Sequence, residues 1–404
     1  DVCSSDLIWA FVIYTDRSRP QGARGILAGA LLVLVFLLRR YFFFFTVSFG
    51  LAAFAALAAD RKQWKSFAAL VGTGVVCSLY FGQSFVVEQV LSSNYFDTYS
   101  AYDQGRWVDA VMFGRYFGYL LLAVALACLI FLLVRRPKAR YASLLCLVQP
   151  LLCFVLFTRV QSHGQQHLLL YLPALCFALA GGLEALPERK PAQAAAWVLA
   201  LAALVSSFLP RIQPDSIQEV DTLSTLPAFT YAPPQRADVA QLVALRAYVD
   251  GLSAQGQKRA AIIASSFVFN TSIYEYTYRS MGIPEPDAPH TEIIYFSSVD
   301  KRDAFSWNVL TADYLVVADP VQTHLGEENQ HLVTVLARPV LTGTGIGTAY
   351  RQLDASFALE DGVTVYVYER VRDIAEEEYQ AISDVLTALY PDYADLYAVP
   401  DEIG

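Results

Sequence analysis

The chain has 404 residues, 55% of them hydrophobic and 13% aromatic, and a positive mean hydropathy, which excludes an ordinary water-soluble globule and points to a membrane protein. Its formal charge of −9 is divided unevenly: residues 1–210 hold 17 Lys and Arg against 10 Asp and Glu, and residues 211–404 hold 12 against 28. The acidic half repels polyanions, which excludes nucleic acid as its partner.

The first seven residues, Asp1-Val-Cys-Ser-Ser-Asp-Leu7, resemble the translation of a sequencing-library adapter, so the sequence reads as a fragment. The apolar stub Ile8–Tyr14 is then the tail of a partial helix, since a signal peptide would need a basic start and a cleavage site. Spanning a hydrocarbon core of about 30 Å takes roughly 20 apolar residues, and runs of that kind fall at 22–38, 41–59, 66–90, 111–134, 141–157, 168–186 and 194–210. Seven crossings therefore make 8–210 a transmembrane helical domain. Basic residues orient them: Arg17, Arg19 and Arg24, then Arg61, Lys62 and Lys65, then Arg135, Arg136, Lys138 and Arg140, then Arg189 and Lys190 occupy alternate loops, which are expected in the cytoplasm. Arg39-Arg40, the loops 92–110 and 158–167, and everything after the last crossing then face outwards. Cys77, Cys128, Cys146, Cys153 and Cys176 lie in the apolar runs and read as small buried residues; no disulfide framework or metal-spaced cluster is present.

Pro-containing residues 211–234 form a linker, and 235–404 reads as an extracytoplasmic α/β domain. Helical spacing of apolar residues covers 236–253, Arg259–Ser265 is a buried strand, and Thr271–Met281 is the next helix. Further strands are expected at Glu292–Phe296, Tyr314–Ala318 and Val363–Glu369, and helices at 327–337 and 374–389, the last with an acidic first turn suited to a helix N-terminus. Strand order does not follow from this pattern.

Five segments hold groups that could carry chemistry. Arg39-Arg40 follows a run of 17 residues, which spans only about 25 Å, so the pair sits at or just below head-group depth. It reads either as two arginines snorkelling to lipid phosphates or as a phosphate-binding pair in an outward cavity. Arg159-Val-Gln-Ser-His-Gly-Gln-Gln-His167 places Arg159, Gln161, His163, Gln166 and His167 in one donor-rich loop suited to an anionic or sugar-bearing ligand. His163 and His167 could share a helix face, but no third ligand is near, so zinc is not expected. The loop Ser92–Asp109 mixes aromatics with Asp97, Asp103 and Asp109; it reads as an interfacial anchor, with an acceptor platform as the alternative. In the second half, Asp313–Pro320 with His324 reads as a strand and its turn, and Asn270-Thr-Ser272 is a short, weak sequon.

With Leu38-Arg-Arg-Tyr41, the loop 159–167 and Ala312-Asp-Tyr-Leu-Val-Val-Ala-Asp-Pro-Val-Gln-Thr-His324 in view, the chain resembles bacterial GT-C class glycosyltransferases of the dolichyl-phosphate-mannose protein mannosyltransferase-like kind. The resemblance implies transfer of a sugar from a polyprenyl-phosphate donor to a protein, lipid or glycan acceptor on the outer face of the plasma membrane. It implies that Arg39, Arg40 and Arg159 contact the lipid phosphate, with Gln161, His163, Gln166 and His167 near sugar or acceptor. The family's catalytic Asp would lie upstream of residue 1, so the fragment alone is expected to be inactive, and that role is not moved to Asp97, Asp103 or Asp109. No cofactor is required by these residues, and a divalent cation is left open. A lipid-linked polymer ligase and a transporter or flippase are the alternatives; the plain apolar helix centres count against the last.

Overall fold

The computed structural model describes residues 2–87, 95–185, 190–212, 225–227, 236–254, 256–280, 282 and 291–401. The chain divides into two compact units, Asp1–Pro234 and Gln235–Gly404.

The first unit is helical: α1 Val2–Thr15, α2 Gln21–Leu38, α3 Phe42–Ala56, α4 Trp64–Phe81, α5 Tyr95–Thr98, α6 Arg106–Phe117, α7 Tyr119–Arg135, α8 Arg140–Phe157, α9 Leu172–Ala185 and α10 Lys190–Ile212. Among the described residues, Gln21–Leu38, Arg61–Phe81 and Arg140–Phe157 are each long and apolar enough to cross a membrane. The stub read at Ile8–Tyr14 belongs to α1, which buries Leu7, Ala10, Phe11 and Tyr14 at helical spacing. The run 111–134 is not one rod: α6 and α7 meet at 83°. Gly118 makes that corner with φ +74°, a conformation open to glycine, and the Tyr119 hydroxyl donates to the Ala110 carbonyl across it at 2.7 Å. The run 41–59 yields 15 helical residues and the run 168–186 yields 14, because residues 165–170 coil more tightly as a 3-10 turn. Residues 88–90 of the run 66–90, residue 186 of the run 168–186, and residues 213–224 and 228–234 of the expected linker lie outside the described residues.

Two kinds of packing hold this bundle. Aromatic rings fill its middle: Phe11 meets Phe49 edge-on at 5.0 Å, Tyr14 meets Phe49 at 5.4 Å, and Phe44 meets Phe157 at 5.0 Å, joining α1, α3 and α8. Close backbone approach joins α2 to α4. A Cβ on Gly25 would lie 2.2 Å from the Ser66 carbonyl oxygen, and one on Gly29 would lie 2.7 Å from that of Leu70. Gly25-Ile-Leu-Ala-Gly29 is thus a pair of small residues one turn apart on the contact face, the arrangement that lets apolar helices pack without a hydrophobic driving force. Away from these seams the surface is apolar: Leu34, Phe54, Val76, Phe81 and Leu151 are all exposed, a surface composition suited to hydrocarbon.

The second unit is a five-stranded mixed sheet with strands β1 Arg259–Ile263, β2 Glu292–Ile294, β3 Tyr314–Asp319, β4 Tyr350–Ala358 and β5 Thr364–Arg370 in the order β2-β1-β3-β5-β4. β1 runs parallel to β2 and β3; β5 runs antiparallel to β3 and β4. Helices α11 Val239–Gly251 and α12 Thr271–Ser280 cover one face, and α13 His331–Thr342 and α14 Glu376–Leu389 cover the other. Strand alternation divides β3 between them: Tyr314, Val316 and Ala318 pack towards Leu245 and Tyr274, and Leu315 and Val317 towards Leu336 and Leu386. The helix expected at 327–337 starts later, at His331, where Asp300 accepts the His331 and Leu332 amides at 2.7 and 2.9 Å and caps it. Strand β4 was not expected from the sequence; it is an edge strand with a register shift between Gln352 and Ser356 and mostly exposed side chains.

Gly25→Leu is expected to force α2 and α4 apart and cost about 1–3 kcal/mol of overpacking, seen as a lower unfolding midpoint in detergent. Gly22→Leu, where a Cβ meets nothing within 4 Å, is the matched control. Equal midpoints for the two variants would refute this packing.

Candidate functional site

The donor-rich loop 159–167 leaves the C-terminal end of α8 and leads into the 3-10 turn Gln165–Leu170. It is not a continuous helix, so His163 and His167 do not share a helix face. His163 turns inward. Its ring stacks on Phe157 at 4.4 Å and Phe154 at 5.6 Å, with Phe113 edge-on at 5.3 Å. Within this aromatic box, one carboxylate oxygen of Asp109 of α6 accepts hydrogen bonds from His163 Nδ1–H and from the His163 backbone amide, both at 2.7 Å. The Tyr171 hydroxyl closes the other side, 2.6 Å from His163 Nε2. The imidazole and carboxylate side chains are 0% and 2% exposed, so each depends on the other to be tolerated without water.

This pair fixes the loop, and the loop gathers its neighbours. Ser162 donates its amide to the Tyr102 carbonyl at 3.1 Å and accepts the Gln104 amide at 2.9 Å, tying residues 100–105 to it. Asp103 accepts the Gly105 amide at 3.0 Å in a tight turn, and Gly105 has φ +85°. Four residues beyond His163, His167 stands edge-on to Tyr41 at 4.9 Å and against Phe157 at 4.7 Å. Tyr41 directly follows Arg39-Arg40, so the corner between α2 and α3 lies against the loop. The Gly164 amide donates to His167 Nδ1 at 2.9 Å, which places the imidazole proton on Nε2. Burial pushes the His167 pKa down to about 4, with the nearby His163 adding to the shift, so the ring is neutral at pH 7 and offers an N–H donor.

Of the residues expected to bind substrate, Arg39, Arg40, Arg159 and Gln166 are exposed and His167 is partly buried at this end of the bundle, while Gln161 and His163 are buried. His163 has both ring nitrogens engaged and acts as an internal anchor. Asp109, expected at the end of the outer loop 92–109, lies instead in the first turn of α6, and nothing in its sequence neighbourhood marks it as the partner of His163. An apolar cavity of about 220 Å³ lies between α7, α8 and α9, lined by Phe113, Phe117, Leu126, Leu147, Pro150 and Tyr171, so Tyr171 faces both it and His163. Among the described residues, no group of three His, Cys, Asp or Glu side chains is placed to hold a metal ion.

In the second unit the flagged polar residues are tied into the fold. Asp313 accepts the Arg259 amide at 2.9 Å and Lys258 Nζ at 3.2 Å. His324 Nδ1 donates to the Ser265 carbonyl at 2.9 Å, and the fully buried Gln330 accepts the His324 amide at 2.8 Å. Asn270 of the sequon accepts the Ile273 amide and donates to the Ser266 carbonyl, capping α12.

Asp109→Asn is expected to cost about 3–5 kcal/mol, because it breaks a buried hydrogen-bonded pair, whereas Asp103→Asn at an exposed turn is expected to stay within about 1 kcal/mol. Thermal unfolding in detergent compares them; equal losses would remove the anchoring role of Asp109. For His167 the folded pKa lies below the unfolded value. The unfolded chain therefore binds the proton first, and the contribution to stability falls as pH drops from about 6.5 to about 4. An imidazole NMR titration should give a midpoint near 4, moving upward in Tyr41→Ala; a midpoint near 6.5 in the parent would contradict the packed ring.

No protein-family model matches the chain, and neither does any curated protein or solved structure.

Proposed function

We propose that the chain is part of a membrane-embedded glycosyltransferase of the GT-C kind, moving a sugar from a polyprenyl-phosphate donor to an acceptor hydroxyl on the outer face. The observation that carries this reading is the contact between Tyr41 and His167, which sets the Arg39-Arg40 corner against the loop bearing Arg159 and Gln166. Cationic forks beside a neutral imidazole donor suit a phosphate that gains negative charge as it leaves. The apolar cavity under Tyr171 supports the same reading, since a donor with an isoprenoid tail needs a polar grip next to an apolar slot.

In this reaction the bond from the sugar's anomeric carbon to the phosphate oxygen breaks, and one to the acceptor oxygen forms. The lipid phosphate leaves as an anion, and the proton lost by the acceptor hydroxyl passes to that phosphate or to solvent water. Arg39, Arg40 and Arg159 would hold the departing phosphate, while His167 Nε2–H and Gln166 would bond sugar or acceptor oxygens. Asp109 would position the loop through His163 and is not assigned the role of base, because its carboxylate is buried and already occupied.

One observation favours a second reading. The 83° break between α6 and α7 beside this site resembles the discontinuous helices around which transporters and flippases build their substrate paths.

Membranes of cells expressing the full-length gene product, upstream residues included, and supplied with radiolabelled polyprenyl-phosphate sugars test both readings. Sugar transfer should occur in the parent and fall about 100-fold or more in Arg39→Ala and Arg159→Ala, with a smaller loss in His167→Ala. No transfer from a broad donor panel, together with movement of the lipid-linked sugar between leaflets, would favour the transporter. Transfer that survives all three substitutions would displace the assigned site.

A further inference from the structure

Arg24 stands in the first turn of α2, 15 residues before Arg39, which at 1.5 Å per residue is about 22 Å along the helix from the site above. It is 4% exposed. Gly25 beside it packs on the Ser66 backbone, which holds this turn of α2 tightly against the start of α4 and draws the Arg24 side chain inward. The guanidinium donates to the Tyr14 carbonyl at 3.3 Å and to Gln63 Oε1 at 2.6 Å; its Nε is buried with no hydrogen-bond partner. No carboxylate among the described residues pairs with it: Asp60, the nearest acid in this network, bonds Arg17 at 3.2 Å and Gln63 Nε2 at 2.9 Å. A buried guanidinium held only by neutral acceptors is an uncompensated charge, which the interior tolerates poorly.

Arg24 lines a cavity of about 240 Å³ between the end of α1, the 3-10 turn Arg61–Gln63 and the start of α8. Arg17, Lys138 and Tyr141 also line it, and Arg17 and Lys138 are exposed. With Asp60 counted against Arg17, the cations Arg24 and Lys138 are left in excess. The space is several times the roughly 30 Å³ share of one water molecule. The Tyr141 hydroxyl is already bonded to Tyr14 and Ala53, so the groups left for a ligand are one buried fork and an exposed ammonium at the mouth, a donor set that suits an oxyanion.

We propose that this cavity binds a phosphate group, either on an anionic lipid headgroup or free in solution, gripped from within by Arg24 and from its mouth by Lys138 and Arg17. The site is separate from the one around His167 and does not depend on the glycosyltransferase reading. Lys138 lies between α7 and α8 and Arg24 in the first turn of α2, so an occupied site would tie the start of α2 to the α7–α8 connection.

The test uses the purified full chain in an uncharged detergent and phosphate-free buffer, with unfolding midpoints recorded against inorganic phosphate, phosphatidic acid and diacylglycerol. The midpoint should rise with a phosphate-bearing additive and not with diacylglycerol. Response to inorganic phosphate identifies a soluble ligand; response to phosphatidic acid alone identifies a lipid headgroup. The half-saturating concentration should increase about tenfold in Arg24→Gln and in Lys138→Ala, the loss of one charge-assisted contact, and should decrease in Asp60→Asn, which removes the competing carboxylate. Lys138 is exposed, so Lys138→Ala decides the matter even where Arg24→Gln fails to fold. An unchanged response in Lys138→Ala, an equal response to diacylglycerol, or no response of the parent to either phosphate would overturn the proposal.

Discussion

Asp109 and His163 are 54 residues apart in sequence and share two hydrogen bonds on one carboxylate oxygen, away from water. The end of the bundle around the candidate site depends on that pair. A carboxylate at that depth requires a donor, and the aromatic box of Phe113, Phe154 and Phe157 leaves the imidazole and backbone of His163 to supply it. The pairing holds α6 against the exit of α8, and the corner at Gly118 then lets α7 descend beside α8 and α9. With His163 fixed inside, the residues on either side of it are turned outward: Arg159 before it and Gln166 after it are both exposed. A neutral residue at position 109 would remove the reason for the loop to close, and the outward groups would lose their common footing.

The same economy of charge explains why α2 matters at both of its ends. Its interior is apolar and its contact face is smoothed by Gly25 and Gly29, so its polar chemistry is confined to the first turn and the residues after its last. At one end Arg24 is drawn under the Tyr14 carbonyl; at the other Arg39 and Arg40 are exposed beside Tyr41. A helix of 18 residues is about 27 Å long, close to the thickness of a hydrocarbon layer, so charged groups beyond its ends are where water and head-groups would meet them.

Much of the second unit was legible because its helices are amphipathic and its strands buried: Val239–Gly251, Arg259–Ile263 and Glu376–Leu389 fall within the expected segments. Strand β4 was not, since Tyr-Arg-Gln-Leu-Asp-Ala-Ser-Phe-Ala lacks the apolar run of a central strand and is held by its partner β5. In the first unit, apolar length located the helices but gave no face to read, because a helix that is hydrophobic all round carries little periodic signal. The bend at Gly118 was hidden for that reason: one glycine in an apolar run is a weak mark, and the positive φ that makes it a corner is imposed by tertiary contacts. The loop 159–167 was found from its density of donors, yet composition could not separate the inward His163 from the partly buried His167. That distinction lies in Asp109 and Tyr41, which reach the loop only through the fold.

The second unit places its polar groups differently, and the contrast sharpens where chemistry belongs. Asp238 is bonded by both arms of Arg236 and accepts the Glu360 amide, Asp300 caps α13 and holds His331, and Gln330 bridges Ser265, Ser298 and His324. Each of these side chains joins segments far apart in sequence. A carboxylate or amide already saturated by backbone partners gains little from a ligand, because binding would have to replace bonds that are geometrically good. In the first unit the balance is reversed at the loop 159–167, where buried bonds hold the backbone and leave Arg159 and Gln166 exposed, with the Nε2 of the partly buried His167 beside the Gln166 side chain. A site needs that division of labour, with one set of groups fixed so that a second set can face a substrate, and in this chain the division falls between His163 and His167.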